Sequence, residues 1–150
     1  SAPYGARLIR HVTGHKESFH TLADWVRRSP VVPVIGDGRY RRQPIHVDDF
    51  SDALLALLQG PLPNCAFDAG GAESLSFNQI IDCLAKSQSR PGIKMHLPKE
   101  LFVMLARVHD DFDADLIGAV DEDEVADSTE LSQRTGVVFR SFQEGVRCLI

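Results

Sequence analysis

The stretch Gly36–Gln59, GDGRYRRQPIHVDDFSDALLALLQ, decides how the rest of the chain is read. It joins a glycine turn, a basic extended run and a helix. Gly36-Asp37-Gly38 lies between the β-branched run Val31-Val32-Pro33-Val34-Ile35 and a second extended run ending at Ile45-His46-Val47, a pattern that predicts a hairpin. Asp48 and Asp49 then offer side-chain oxygens to the first N–H groups of a helix, whose apolar residues Phe50, Ala53, Leu54, Leu57 and Leu58 recur at helical spacing. Gly60 and Pro61 end that helix. Arg39, Arg41 and Arg42 thus arrive just ahead of a strand that docks a helix, and a planar guanidinium fork in such a place suits a phosphate or carboxylate.

On the N-terminal side, residues 1–15 carry little pattern beyond a short strand at Leu8-Ile9-Arg10, and are set apart from a single domain over residues 16–150. From Glu17 to Ser29, Phe19, Leu22, Ala23 and Val26 share one face of an amphipathic helix, with Arg27 and Arg28 suited to its C-terminal dipole. On the C-terminal side, Cys65 to Ala69 reads as a short strand stopping at Gly70-Gly71. Ser76 and Gln79 have the spacing of a capping box, and Phe77, Ile80, Ile81 and Leu84 form the buried face of the helix it opens. Ile93 to Leu97 alternates as a strand, and Pro98 opens a helix bearing Leu101, Phe102, Leu105 and Val108. Residues 110–124 are densely acidic, the usual mark of a solvated face or loop. A helix from about Ser128 to Arg134, a strand at Val137-Val138-Phe139 and a last helix capped by Ser141 and Glu144 complete the chain. Strands alternating with helices predict α/β layering with crossover helices.

Composition narrows the function. The chain has 150 residues, 43% of them hydrophobic and 25% charged, as in one ordinary soluble domain. Its formal charge of -5 and pI near 5.6 argue against nucleic-acid binding, which needs a basic face to neutralise phosphates. Cys65, Cys83 and Cys148 are odd in number and set among apolar residues, so reduced thiols and a cytoplasmic location are expected. With no apolar run of about 18 residues and no basic-then-apolar opening, neither a membrane span nor a leader is expected.

Three stretches carry a resemblance. Arg42-Gln43-Pro44-Ile45-His46-Val47-Asp48-Asp49-Phe50 resembles the R-x-x-I/V-H-V-D-D-L/F segment of extended short-chain dehydrogenase/reductases, the NAD(P)-dependent nucleotide-sugar epimerase and dehydratase family. There the segment belongs to the C-terminal, substrate-binding half. Phe67-Asp68-Ala69-Gly70-Gly71-Ala72-Glu73-Ser74-Leu75-Ser76 resembles the family's N-L-G-G-P-E-x-L-T strand and turn, and Ser141-Phe142-Gln143-Glu144-Gly145-Val146 resembles its terminal helix. The three run in order over residues 30–150. The resemblance implies a small layered α/β domain like the C-terminal part of an extended short-chain reductase, without a complete Rossmann domain. It also implies that Arg42 holds the diphosphate of a nucleotide-sugar, with Arg39 and Arg41 as lesser substrate-binding candidates and His46 in a packing role.

Each of these residues has a plainer reading beside the functional one. Arg42 also fits a surface arginine stiffening a strand edge. Asp48 and Asp49 look like an acid/base pair, but their place before an apolar helical run makes helix capping the better account. Gly36-Asp37-Gly38 lacks the third glycine of a dinucleotide fingerprint, since position 41 is Arg. Asp111-x-Asp113-x-Asp115 with Glu122 imitates a calcium loop, but Leu116 stands where the sharp turn needs Gly. No metal site is assigned.

The family's hydride chemistry needs a glycine-rich cofactor turn and a Tyr-x-x-x-Lys pair. In these residues Tyr4 is followed four positions later by Leu8 and Tyr40 by Pro44, and G-x-x-G-x-x-G is absent. Neither catalytic nor cofactor-binding residues are therefore assigned, and NAD(P) is expected only where a separate Rossmann half is supplied. Two functions follow. One is a detached or truncated nucleotide-sugar-binding domain, not competent alone. The other is a non-enzymatic dimerisation or protein-interaction module on the same scaffold. In either case a homodimer, or a partner chain covering the surface of the missing half, is the expected assembly.

Overall fold

The computed structural model describes residues 19–60, 66–106 and 123–147. The expected strand at Leu8-Ile9-Arg10, the position of Cys65, the calcium-like run from Asp111 to Glu122 and Cys148 lie outside the described residues. Among the described residues the chain is a small mixed α/β structure of six helices and two two-stranded sheets. In order these are α1 (Phe19–Arg28), β1 (Val31–Ile35), β2 (Arg41–Arg42), α2 (Val47–Gln59), β3 (Leu75–Ser76), α3 (Phe77–Ser87), β4 (Ile93–Leu97), α4 (Lys99–Ala106), α5 (Thr129–Thr135) and α6 (Phe142–Arg147). They fall into two compact units. Of the described residues, the first comprises 19–22, 43–60, 66–74 and 125–147, and the second 23–42, 75–106, 123 and 124.

The second unit is built on a parallel pair. β1 and β4 run side by side with Val31 opposite Ile93 and Ile35 opposite Leu97, and the connection between them carries α3. The predicted hairpin across Gly36–Gly38 does not form. β2 pairs instead with β3, antiparallel, Arg41 opposite Ser76 and Arg42 opposite Leu75. The reason lies in the edges of β1. Gly36 donates to the carbonyl of Leu97 and Ile93 donates to that of Pro30, so alternate residues of β1 face β4. The other edge offers Pro33, which has no N–H, and Val31, whose carbonyl already accepts from Trp25 Nε1 at 3.1 Å and Ser29 Oγ at 2.8 Å. A hairpin partner would find that edge blocked. Val26, Val32, Val34, Ile35, Tyr40, Ile80, Ile81, Leu84 and Ala85 are buried and form the core of this unit. α3 opens with the capping box: Ser76 Oγ accepts from the N–H of Gln79, and Gln79 Oε1 accepts from that of Ser76.

The first unit packs α2 against α5 around Ile45, Ala53, Leu131 and Phe139, with Phe50, Leu57, Phe67, Ala69 and Val137 at the margin. Residues 66–69 and 137–139, expected as strands, pack here without joining a sheet. Their apolar residues are used for packing, while the backbone of Val137 is satisfied by side chains: Ser132 Oγ donates to its carbonyl at 2.7 Å. α5 ends at Gly136 in the left-handed conformation, φ 72°.

Candidate functional site

The three arginines ahead of α2 fare differently. Arg39 is on the outside of the glycine turn, its side chain 86% exposed and its Nε 3.8 Å from Asp37. Arg41 is exposed, and its backbone is pinned: its N–H donates to Asp123 Oδ1 at 2.7 Å and its carbonyl accepts from the N–H of Glu124 at 2.8 Å. Arg42 is enclosed, with only 14% of its side chain exposed. Its guanidinium lies over the Tyr40 ring, 5.2 Å from the centroid, and that ring stacks on Phe77 at 5.1 Å. Arg42 NH1 donates to the carbonyl of Arg41 at 3.1 Å, and Nε stands 3.5 Å from Glu124 Oε2.

Local sequence explains this arrangement. Gly38 turns the chain at φ 66°, where a Cβ would stand 2.4 Å from Asn78 Oδ1 and 2.7 Å from Val34 Cγ1. Only glycine lets the start of α3 come this close. Asn78 then closes the turn, donating its N–H to the carbonyl of Gly38 at 3.1 Å and Nδ2 to that of Asp37 at 2.8 Å. Tyr40, held against Phe77, becomes a platform, and β2 delivers Arg42 onto it. A rigid, aromatic-backed guanidinium can clamp two oxygens of a phosphate or carboxylate at once. The Gly36–Gly38 turn itself leads into β2 and not into a helix, so it offers no helix N-terminus to a pyrophosphate.

In the first unit the motif residues serve the scaffold. The N-cap of α2 is His46, whose Nδ1 accepts from the N–H of Asp48 at 3.2 Å, and neither Asp48 nor Asp49 fills that position. Asp49 is 4% exposed and takes Arg140: Nε donates to Oδ1 at 2.8 Å, and the Arg140 backbone N–H donates to Oδ2 at 2.8 Å. A carboxylate at the third position of the helix meets the returning chain better than its own helix end. Gln43, which sequence reasoning passed over, ties the glycine turn: Nε2 donates to the carbonyl of Gly71 at 2.7 Å and Oε1 accepts from Ala126 at 3.1 Å. Ser141 and Glu144 bond reciprocally, and the two Ser141 donors hold the Glu144 carboxyl below its ordinary range.

Tyr40, Gln43, Asn78 and Glu124 are the members of these networks that the sequence did not single out. Only Tyr40, an aromatic two residues before a candidate arginine, carried a local signal. Among the described residues, no cluster of three or more His, Cys, Asp or Glu is placed to hold a metal ion, and no helix is long and apolar enough to cross a membrane.

No protein-family profile matches this sequence, and neither does any curated protein. Solved structures do. UDP-glucuronic acid 4-epimerase from Bacillus cereus, in complex with NAD, is 20% identical, with a TM-score of 0.62 over 87% of this chain and 36% of its own. UDP-glucose 4-epimerase from Thermotoga maritima, with UDP-glucose, gives 21% identity and a TM-score of 0.63 over 85% of this chain and 36% of its own. UDP-N-acetylglucosamine 4-epimerase from Bacillus cereus gives a TM-score of 0.67 at 9% identity, over 93% of this chain and 42% of its own. The chain therefore has the fold of part of these epimerases and spans about two fifths of their length.

Proposed function

We propose that this chain is the nucleotide-sugar-binding part of an NAD(P)-dependent epimerase- or dehydratase-like protein, with Arg42 clamping the ligand's diphosphate. The observation that carries this reading is Arg42 itself: enclosed, stacked on Tyr40 and delivered by β2 in a fold shared with UDP-sugar epimerases. Arg41 and Arg39, exposed beside it, would add positive charge at the rim. Epimerisation would then need the hydride and proton-transfer groups of a cofactor-binding half supplied by other polypeptide. Such a half would bring the NAD(P), because the 150 residues contain no glycine-rich cofactor turn and no Tyr-x-x-x-Lys pair. The proposed location is cytoplasmic.

Calorimetric titration of the chain with UDP-glucose tests this. Binding is expected, with a loss of at least about tenfold on Arg42→Ala, the scale of a charge-assisted bidentate contact. Binding that is unchanged in Arg42→Ala would sink the assignment.

A second reading is favoured by α2, where Leu54, Leu55 and Leu58 are 42%, 55% and 65% exposed. An interaction module that buries this face in a homodimer or against a partner chain accounts for them. Light scattering on the same sample separates the two: a dimer indifferent to every UDP-, dTDP- and GDP-sugar favours the module.

A further inference from the structure

The acidic residues at 123 and 124 do more at the Arg42 site than lie beside it. Glu124 forms a parallel bridge with Arg42, and in such a register the two side chains leave the backbone on the same face. Two hydrogen bonds to the Arg41 backbone hold the bridge: its N–H donates to the side-chain Oδ1 of Asp123, and its carbonyl accepts from the backbone N–H of Glu124. The position of the Glu124 Cα is therefore set by the fold. Its carboxylate sits 3.5 Å from Arg42 Nε, on an edge that a bidentate anion would use.

The two partners are held unequally. Arg42 is 14% exposed and lies over Tyr40, whereas the Glu124 side chain is 39% exposed and has solvent to turn into. The guanidinium is the fixed partner and the carboxylate the displaceable one. An ion pair at this distance is loose enough to be exchanged for a better anion, and while it is formed it lowers the site's net charge by one.

We propose that Glu124 is the charge-setting gate of the Arg42 site: its carboxylate holds the guanidinium against small anions, and a phosphate-bearing ligand enters only by displacing it. The choice of a diphosphate as that ligand rests on the function proposed above; the gate itself rests on the Arg42–Glu124 geometry. A site so guarded discriminates by charge, rejecting carboxylates and single weak anions that cannot outcompete a tethered carboxylate.

The test is calorimetric titration of the full chain with inorganic pyrophosphate, comparing wild type, Glu124→Gln and Glu124→Gln with Arg42→Ala. Glutamine keeps the shape and the backbone bridge while removing the charge. Pyrophosphate is expected to bind Glu124→Gln about tenfold tighter than wild type, the scale of one nearby like charge removed, and the gain is expected to vanish in the double variant. Equal or weaker binding to Glu124→Gln, a gain that survives loss of Arg42, or no binding by any variant would overturn the gate. UDP-glucose titrated in parallel separates the two claims. UDP-glucose binding that needs Arg42 but ignores Glu124→Gln leaves the function standing and removes the gate. An Arg42-dependent gain for pyrophosphate without UDP-glucose binding does the reverse.

Discussion

Asp49 and Arg140 form a partly buried ion pair in the first unit. Asp49 is 4% exposed, and its two oxygens accept from the side chain and backbone of Arg140 across the fold. Removing the arginine strands a buried carboxylate. Arg140→Ala is therefore expected to lower stability by about 2–4 kcal/mol, toward the lower end of buried-pair deletions because the arginine is itself partly in solvent. Asp48→Ala, at a 67% exposed side chain 3.8 Å from Arg140 NH1, is expected to cost under about 0.5 kcal/mol. Urea midpoints of the two variants measure the difference, and equal losses would contradict it. Glu144 gives a pH signature. Its folded value is depressed below its ordinary 4.5 by the hydrogen bonds from Ser141, so the stabilisation is complete above that value and is lost as pH falls through the lower folded one. An NMR titration of its carboxyl should have a midpoint below 4.5, moving up in Ser141→Ala. A midpoint at or above 4.5 would show that the reciprocal cap does not form in solution.

At the scale of elements, what the sequence made legible was local periodicity. α1, α2 and α3 stand where apolar spacing put them, because a helix that buries one face must repeat its apolar residues at its own period; β4 stands at its expected residues although Ile93 and Met95 are exposed, and α2 is capped by His46 and not by the expected aspartates. Pairing was not legible. β1 and the residues after Gly38 carry every local mark of a hairpin, yet β1 takes β4 as its partner because Pro33 and the Val31 carbonyl spoil its other edge. The strands expected at 66–69 and 137–139 fail for a related reason: apolar residues suited to a strand also suit a packed coil when no neighbouring edge is offered. At the candidate site the arginine was legible and its setting was not. Glu124 comes to Arg42 from 82 positions along the chain, a register that no local pattern encodes. The Gly70–Gly71 turn shows how tight such non-local contacts are. A Cβ on Gly71 would stand 1.9 Å from the carbonyl oxygen of Pro44, so backbone would meet side chain with no room to yield. Gly71→Ala is expected to cost more than about 3 kcal/mol by thermal or urea unfolding, and a loss below about 1 kcal/mol would mean that the Gln43–Gly71 crossing is looser than described.

At the scale of the whole molecule, the chain has the fold of about two fifths of a UDP-sugar epimerase, at identities where fold survives and function does not follow from it. The proposal that it holds a nucleotide-sugar therefore rests on chemistry, on a single guanidinium over the Tyr40 ring, which itself stacks on Phe77, and beside Glu124. On the proposed reading, the catalytic groups of an epimerase would come from polypeptide outside these 150 residues. The most direct measurement is a titration of the 15N-labelled chain with UDP-glucose, following the backbone amides of Tyr40, Arg41, Arg42 and Glu124 and the side-chain Nε–H of Arg42. Saturable shifts concentrated on these residues and abolished by Arg42→Ala are expected. An unperturbed spectrum at millimolar ligand, or shifts that ignore the substitution, would contradict it.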